Sequence, residues 1–271
     1  MRMSVDERAD EGQTGMRAHM RTRTRTRAIA AVSFDLDGTL VETAGELVAA
    51  ANASLEAHGI AARPASAIVT LIGGGSRELM RRLLARCFLE QPALADRVRP
   101  EAVLATMDAS YAAVAGTFCR PYDGCAEALE ALRQNGVKVA CVTNKEARHA
   151  TRVLMSTGLA PLFDLVIGGD SLPHRKPHPT VLRHVAQALA TDRAGLAHVG
   201  DSELDVVAAR ESGVAAWAVA YGYNGGAPIA DARPDRIFDT VADVALHVLQ
   251  IRRQGRCEDG NMPPAIAATF G

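Results

Sequence analysis

The chain has 271 residues, with 30 basic side chains against 31 acidic ones and a formal net charge of -1, so no global field draws it to nucleic acid or to an anionic membrane. Its 48% hydrophobic content is enough for one large or two modest cores. No apolar run approaches the roughly 20 residues of a membrane-spanning helix, and the start, MRMSVDERADEGQTG, lacks the apolar centre of a signal peptide. The expectation is a cytoplasmic protein without nucleic-acid or membrane partners.

Residues 1–27 are polar, aperiodic and end in RTRTRTR. They read as a solvated, disordered leader, with a basic arm for a polyanion as the other reading. From residue 28, short apolar runs (AIAAVSF, VKVACVT, DLVIGG, LAHVG, VAAWAVAY) alternate with helix-like stretches (GCAEALEALRQNG, KEARHATRVLMSTG, PTVLRHVAQALA, SELDVVAARESG). Strands of that length alternating with such helices predict an α/β fold built on a parallel sheet covered on both faces. Gly136, Gly158 and Gly213 each stand where a helix ends on a left-handed residue.

One interval breaks the alternation. Residues 43–117 show helical patterns alone, among them AGELVAAANASLEAHG, SRELMRRLLARCF and EAVLATMDASYAAVAG. They predict an all-α insertion after the first strand, a cap on a core formed by residues 28–42 and 118–250. Residues 251–271 mix Gly, Pro and charge and are expected to form a flexible tail. Five cysteines without a C-x-x-C pair argue against a disulfide framework and against a thiolate zinc site.

Ligands of open parallel sheets sit beyond the carboxyl ends of the strands, and here those ends are chemically coherent. The first strand ends in Asp35 with Asp37 just past it. The second ends in Thr143-Asn144, Lys176 follows the third, and the fourth ends in Gly200-Asp201 with Asp205 four residues on. Two bare carboxylates about 4 Å apart repel by roughly 4 kcal/mol at an effective dielectric near 20, and a divalent cation relieves that repulsion. An all-oxygen set suits Mg²⁺. A lysine and a hydroxyl beside it supply the charge and the donors that a phosphoryl group requires. Each residue also has a plainer reading: Ser202 and Asp205 fit a helix-capping box, as do Thr39 and Glu42, and Lys176 could be a solvated loop residue. Their joint occurrence at successive strand ends favours the phosphoryl site.

The set resembles the haloacid dehalogenase superfamily. Its D-x-D-G-T motif is matched by Asp35 to Thr39, its strand-end Ser/Thr by Thr143, its lysine by Lys176 and its G-D-x-x-x-D by Gly200 to Asp205. The resemblance implies a Rossmann-like core with a helical cap inserted after the first motif. It further implies that Asp35 is the nucleophile and Asp37 the general acid and base. Asp35, the backbone carbonyl of Asp37 and Asp201 would hold Mg²⁺ with support from Asp205, while Thr143, Asn144 and Lys176 bind the transferring group. Asp37 disfavours the dehalogenase branch, and residues 43–122 contain no lysine for the Schiff base of a phosphonoacetaldehyde hydrolase.

The stretches CRPYDGCAEALEALRQNGVKVACVTNKEARHA, VIGGDSLPHRKPHP and YGYNGGAPI look like those of the bacterial phosphoglycolate phosphatase branch. Glu42-Thr43 departs from the Asp-Ser or Asp-Thr usual there. In the cap, LIGGGSREL is expected to face the rim, with Gly74 allowing close approach and Arg77 pairing with a substrate carboxylate; a solvated helix face is the other reading of Arg77. The expectation is a Mg²⁺-dependent phosphatase, monomeric or homodimeric, acting on a small phosphate ester, 2-phosphoglycolate first. Another sugar-phosphate phosphatase or phosphomutase of the superfamily is the alternative within the class. A non-catalytic binding protein on the same scaffold is the alternative outside it.

Overall fold

The computed structural model describes residues 28–258; the leader and residues 259–271 of the expected tail lie outside the described residues. The core is a parallel sheet of six strands: β1 (Ala31–Phe34), β4 (Lys138–Val142), β5 (Leu165–Ile167), β6 (Leu196–Gly200), β7 (Ala215–Val219) and β8 (Arg236–Phe238). Their order is β5-β4-β1-β6-β7-β8. Taken in chain order this is 3-2-1-4-5-6, the doubly wound arrangement, whose direction reverses between β1 and β6.

The period of two along each strand divides the interior into two layers. Val32, Phe34, Val139, Cys141, Val199 and Trp217 pack on one face, under α6 (Cys125–Gln134), α7 (Ala147–Ser156) and α10 (Val241–Glu258). Ala31, Ala140, Val142, Leu196 and Ala216 pack on the other, under α8 (Thr180–Ala188) and α9 (Glu203–Ser212). Gly136, Gly158 and Gly213 all have φ near +70°, as a left-handed helix end requires. Two elements went unread in the sequence. β8 is a three-residue edge strand, too short for alternation to show. Helix α10 runs on to Glu258, so the expected tail does not begin at residue 251: Arg252 donates to the carbonyls of Ile29 (2.9 Å) and Asn135 (3.3 Å) and ties the helix to the core at that point.

The helical insertion comprises α1 (Ala44–Ala57), α2 (Ala65–Val69), α3 (Ser76–Glu90), α4 (Leu94–Arg97) and α5 (Pro100–Val114). It has its own core, with Leu47, Leu55, Leu79, Leu83, Leu104 and Tyr111 among its buried members. The two connecting strands pair with each other: β2 (Val41–Glu42) lies antiparallel to β3 (Arg120–Pro121), Val41 opposite Pro121 and Glu42 opposite Arg120. The fully buried Glu46 on α1 locks the returning strand beside the outgoing one. Its carboxylate accepts the backbone N–H groups of Gly116, Thr117, Phe118 and Cys119 at 2.8–3.0 Å.

Candidate active site

Strand register builds the site. Phe34 lies opposite Cys141 on one side and opposite Val199 on the other, so Asp35, one residue on, and Thr143 and Asp201, each two residues on, emerge at the same rim. That rim is the switch point between β1 and β6, where doubly wound sheets bind their ligands. Oxygens of Asp35, Asp201 and Asp205 lie within 4.8 Å of one another, and all three residues are buried.

Asp35 Oδ1 is 3.0 Å from Lys176 Nζ but receives no well-directed hydrogen bond. Burial pushes its carboxyl up to about 6, Lys176 opposing and the charges of Asp205 and Asp37 adding. Asp201 accepts from the Thr39 hydroxyl (3.1 Å) and from the backbone N–H of Tyr223 (2.6 Å). Burial, with the nearby charges of Asp35 and Asp205, pushes it up to about 8. Buried carboxyls raised by desolvation, and further by one another's charge, are what a hard divalent cation would relieve; the donor set fits such an ion.

Asp205 is more committed. One oxygen meets Lys176 Nζ (2.6 Å) and His198 Nε2 (3.1 Å), and the other accepts from the backbone N–H (3.2 Å) and hydroxyl (2.6 Å) of Ser202. Its lone-pair directions are filled. Burial alone would raise its carboxyl, but Lys176 and His198 outweigh burial and hold it below the usual range. Asp205 therefore anchors Lys176 and also serves the start of α9, where the capping box with Ser202 forms as the sequence allowed. His198 in turn meets the Ser33 hydroxyl at 2.9 Å, a buried polar chain across β1 and β6 on an otherwise apolar face.

Asp37 stands apart from the three-carboxylate cluster. Its Oδ1 accepts from the Thr43 hydroxyl at 2.6 Å and pairs with Lys145 Nζ at 2.9 Å. Lys145 is 2% exposed and also touches the hydroxyl of Tyr111 on α5, whose ring centre is 4.6 Å away. Burial opposes the charge on Lys145, but Asp37 and Tyr111 outweigh it and raise its pKa. Sequence reasoning missed this pair. The available signal was the scarcity of lysine: of Lys138, Lys145 and Lys176, two lie buried at the site.

The cap covers the rim. A cavity of about 10 Å³, room for about one water, is lined from the core by Asp35, Asp37, Thr143 and Lys145 and from the cap by Leu47, Ile72, Gly73, Gly75, Ser76 and Leu79. Gly75, with φ of +90°, approaches so closely that a Cβ there would stand 2.7 Å from the Asn144 carbonyl oxygen. Across this seam the Ser76 hydroxyl donates to Glu146 at 3.1 Å. The cap must swing away before any phosphate ester can enter.

Three expectations change. Asn144 spends its amide donors on the carbonyls of Gly73 and Lys176, both at 3.0 Å, so it joins cap to core and is not free to hold a phosphoryl group in this closed form. Arg77 is absent from the cavity lining; its guanidinium pairs with Asp108 and, at 3.4 Å, with Glu101, both on α5, so it staples two cap helices. Gly74 is absent from the lining as well, and a Cβ there would meet Glu78 at 2.9 Å. The loop does face the rim, but through Gly73 and Gly75. Thr143 lines the cavity, its Oγ1 accepting from the Lys145 N–H at 3.2 Å.

The capping box of Thr39 with Glu42 does not form, although Glu42 itself accepts the first N–H of α1. Thr39 serves Asp201, whereas Glu42 accepts from the Ala44 N–H (2.8 Å), Tyr223 Oη (2.7 Å) and Tyr122 Oη (3.2 Å). Tyr223 Oη accepts in turn from the N–H groups of Thr43 and Ala44. The YGYN segment thus links Asp201 to the hinge of the cap through a single tyrosine.

This geometry agrees with sequence comparison, in which residues 32–219 match the model of the haloacid dehalogenase-like hydrolases. The chain belongs to that family. It is 36% identical over 220 residues to a phosphoglycolate phosphatase of Thiobacillus denitrificans, covering 81% of this chain and 96% of that one. It is 37% identical over 222 residues to phosphoglycolate phosphatase 1 of Pseudomonas aeruginosa, covering 81% and 79%. A crystal structure described as a predicted phosphoglycolate phosphatase of Haemophilus somnus superposes with a TM-score of 0.76 at 31% identity, covering 82% of this chain and 98% of the other. Among the described residues, no helix is long and apolar enough to cross a membrane.

Proposed function

We propose that this haloacid dehalogenase-like hydrolase is a Mg²⁺-dependent phosphatase that cleaves a small phosphate monoester, 2-phosphoglycolate first, through an aspartyl-phosphate on Asp35. The observation that carries the reading is the buried cluster of Asp35, Asp201 and Asp205 oxygens, within 4.8 Å of one another and beside Lys176. The relatives' names and the YGYN segment support phosphoglycolate as the substrate.

In this reading Asp35 and Asp201, with the Asp37 backbone carbonyl, hold Mg²⁺, which when bound supplies positive charge beside the phosphoryl oxygens. An Asp35 oxygen attacks phosphorus and the phosphorus–ester oxygen bond breaks. Asp37 gives its proton to the departing alkoxide, then takes one from the water that attacks the aspartyl-phosphate, and release of inorganic phosphate restores Asp35. Lys176, fixed by Asp205, and the Thr143 hydroxyl face the charge on the equatorial oxygens. The apolar cap residues Leu47, Ile72 and Leu79 exclude bulk water during the first step.

The test is a panel of phosphate esters, with kcat/KM measured in Mg²⁺ and after chelation. Turnover that requires the metal and is highest for 2-phosphoglycolate supports the reading. A flat profile refutes the substrate, and undiminished turnover in chelator refutes the metal.

A further inference from the structure

We propose that Lys145 is the residue that selects the substrate: its ammonium receives a carboxylate carried on the carbon next to the ester oxygen, so that the enzyme prefers phosphate esters of short α-hydroxycarboxylic acids. The inference rests on the phosphatase reading above and assigns its specificity to one side chain.

Lys145 is the cationic residue in the cavity lining. Lys176, the other ammonium of the site, is absent from that lining and is held by Asp35 and Asp205, and Arg77 is paired within the cap. An ammonium has three N–H donors. Asp37 and the Tyr111 hydroxyl take two of those of Lys145, and the third has no partner among the described residues. A buried ammonium is costly unless its donors are satisfied, so an acceptor entering the cavity is welcome there.

Position fixes the kind of acceptor. Asp37 must reach the ester oxygen to protonate it, and Lys145 Nζ stands 2.9 Å from an oxygen of the same carboxylate. The substituent on the carbon next to the ester oxygen therefore falls within reach of Lys145. A carboxylate in that place meets a positive charge and a free donor, while the apolar side chains of Leu47, Ile72 and Leu79 line the same cavity and suit the carbon that joins it to the phosphate. Tyr111 carries the contact into the cap, so binding such a substrate fastens the cap from inside.

The experiment compares kcat/KM for 2-phosphoglycolate with that for ethyl phosphate, which has a methyl group in place of the carboxylate, in the wild type, Lys145→Gln and Lys145→Arg. The wild type is expected to favour phosphoglycolate by roughly 30- to 100-fold, the worth of one charge-assisted hydrogen bond. In Lys145→Gln both rates fall, and the ratio falls toward one; in Lys145→Arg the preference persists. A ratio that is the same in the wild type and in Lys145→Gln would overturn the proposal, because the lysine would then serve Asp37 alone. A wild type that turns over neither ester in Mg²⁺ defeats the phosphatase reading itself. If Lys145→Gln fails to melt cooperatively, inhibition of wild-type turnover by glycolate and by glycolamide decides: stronger inhibition by the charged molecule supports the assignment, and equal inhibition overturns it.

Discussion

Removing the Glu46 carboxylate should loosen the hinge by a calculable amount. Its two oxygens accept four backbone N–H groups, three on Oε1 and one on Oε2. Hydrogen bonds to a charged group contribute about 1.5–3 kcal/mol each when nothing replaces them. Thr117 and Phe118 are exposed, so water takes over their donors, and the loss concentrates on Gly116 and Cys119. Glu46→Ala, which also empties a fully buried site, should therefore cost at least about 3–6 kcal/mol. Glu46→Gln retains an oxygen in the place of Oε1 but turns an amide N–H₂ toward the Gly116 donor, and should cost about 1–2 kcal/mol. Urea unfolding followed by far-UV circular dichroism measures both. Because Trp217 packs in the α/β core, its fluorescence reports that region separately, and the cap helices should be lost at lower urea than the Trp217 signal in the alanine variant. If both variants unfold within about 0.5 kcal/mol of the wild type, the range of an ordinary surface substitution, the carboxylate does not hold the hinge.

Other outcomes follow from the same contacts. Tyr223→Phe removes the hydroxyl shared by Glu42, Thr43 and Ala44 and keeps the backbone bond to Asp201; stability should fall by about 1–2 kcal/mol and kcat by several-fold, with steady-state kinetics as the check and unchanged turnover as the contrary result. Gly75→Ala sets a Cβ 2.7 Å from the Asn144 carbonyl oxygen at a φ of +90°, so kcat should drop about tenfold or more because the cap cannot seat, while the melting of the core stays near wild type. His198→Leu removes a partner of both Ser33 and Asp205 and should cost about 1–3 kcal/mol in thermal or urea unfolding.

Much of the site was legible because it depends on chain order alone. Asp35, Thr143 and Asp201 each end a strand, and a parallel sheet carries all strand ends to one edge whatever the details of packing. The helical cap was legible for a similar reason, since residues 43–117 lack any period of two. What could not be read depends on which side chains meet across separate elements. Lys145 pairs with Asp37 and Tyr111 only because cap and core close on each other. Arg77 finds Asp108 and Glu101 because α3 lies along α5, a contact that outweighs its nearness in sequence to the glycine loop. Asn144 was expected at the substrate because it follows Thr143, but its amide points to the carbonyls that hold the cap loop and the Lys176 loop together. β8 and the last turns of α10 were hidden by brevity and by a charged, glycine-containing sequence whose packing against the core became evident only through Arg252.

The most direct measurement is the site of covalent phosphorylation. Enzyme mixed with excess 2-phosphoglycolate and Mg²⁺, quenched in acid within a turnover and mapped by mass spectrometry, should carry one phosphoryl group on Asp35, and Asp35→Asn should carry none and lose turnover by more than about a thousandfold. A phosphoryl group on another residue, or an Asp35→Asn enzyme that keeps its metal-dependent turnover, would contradict the account.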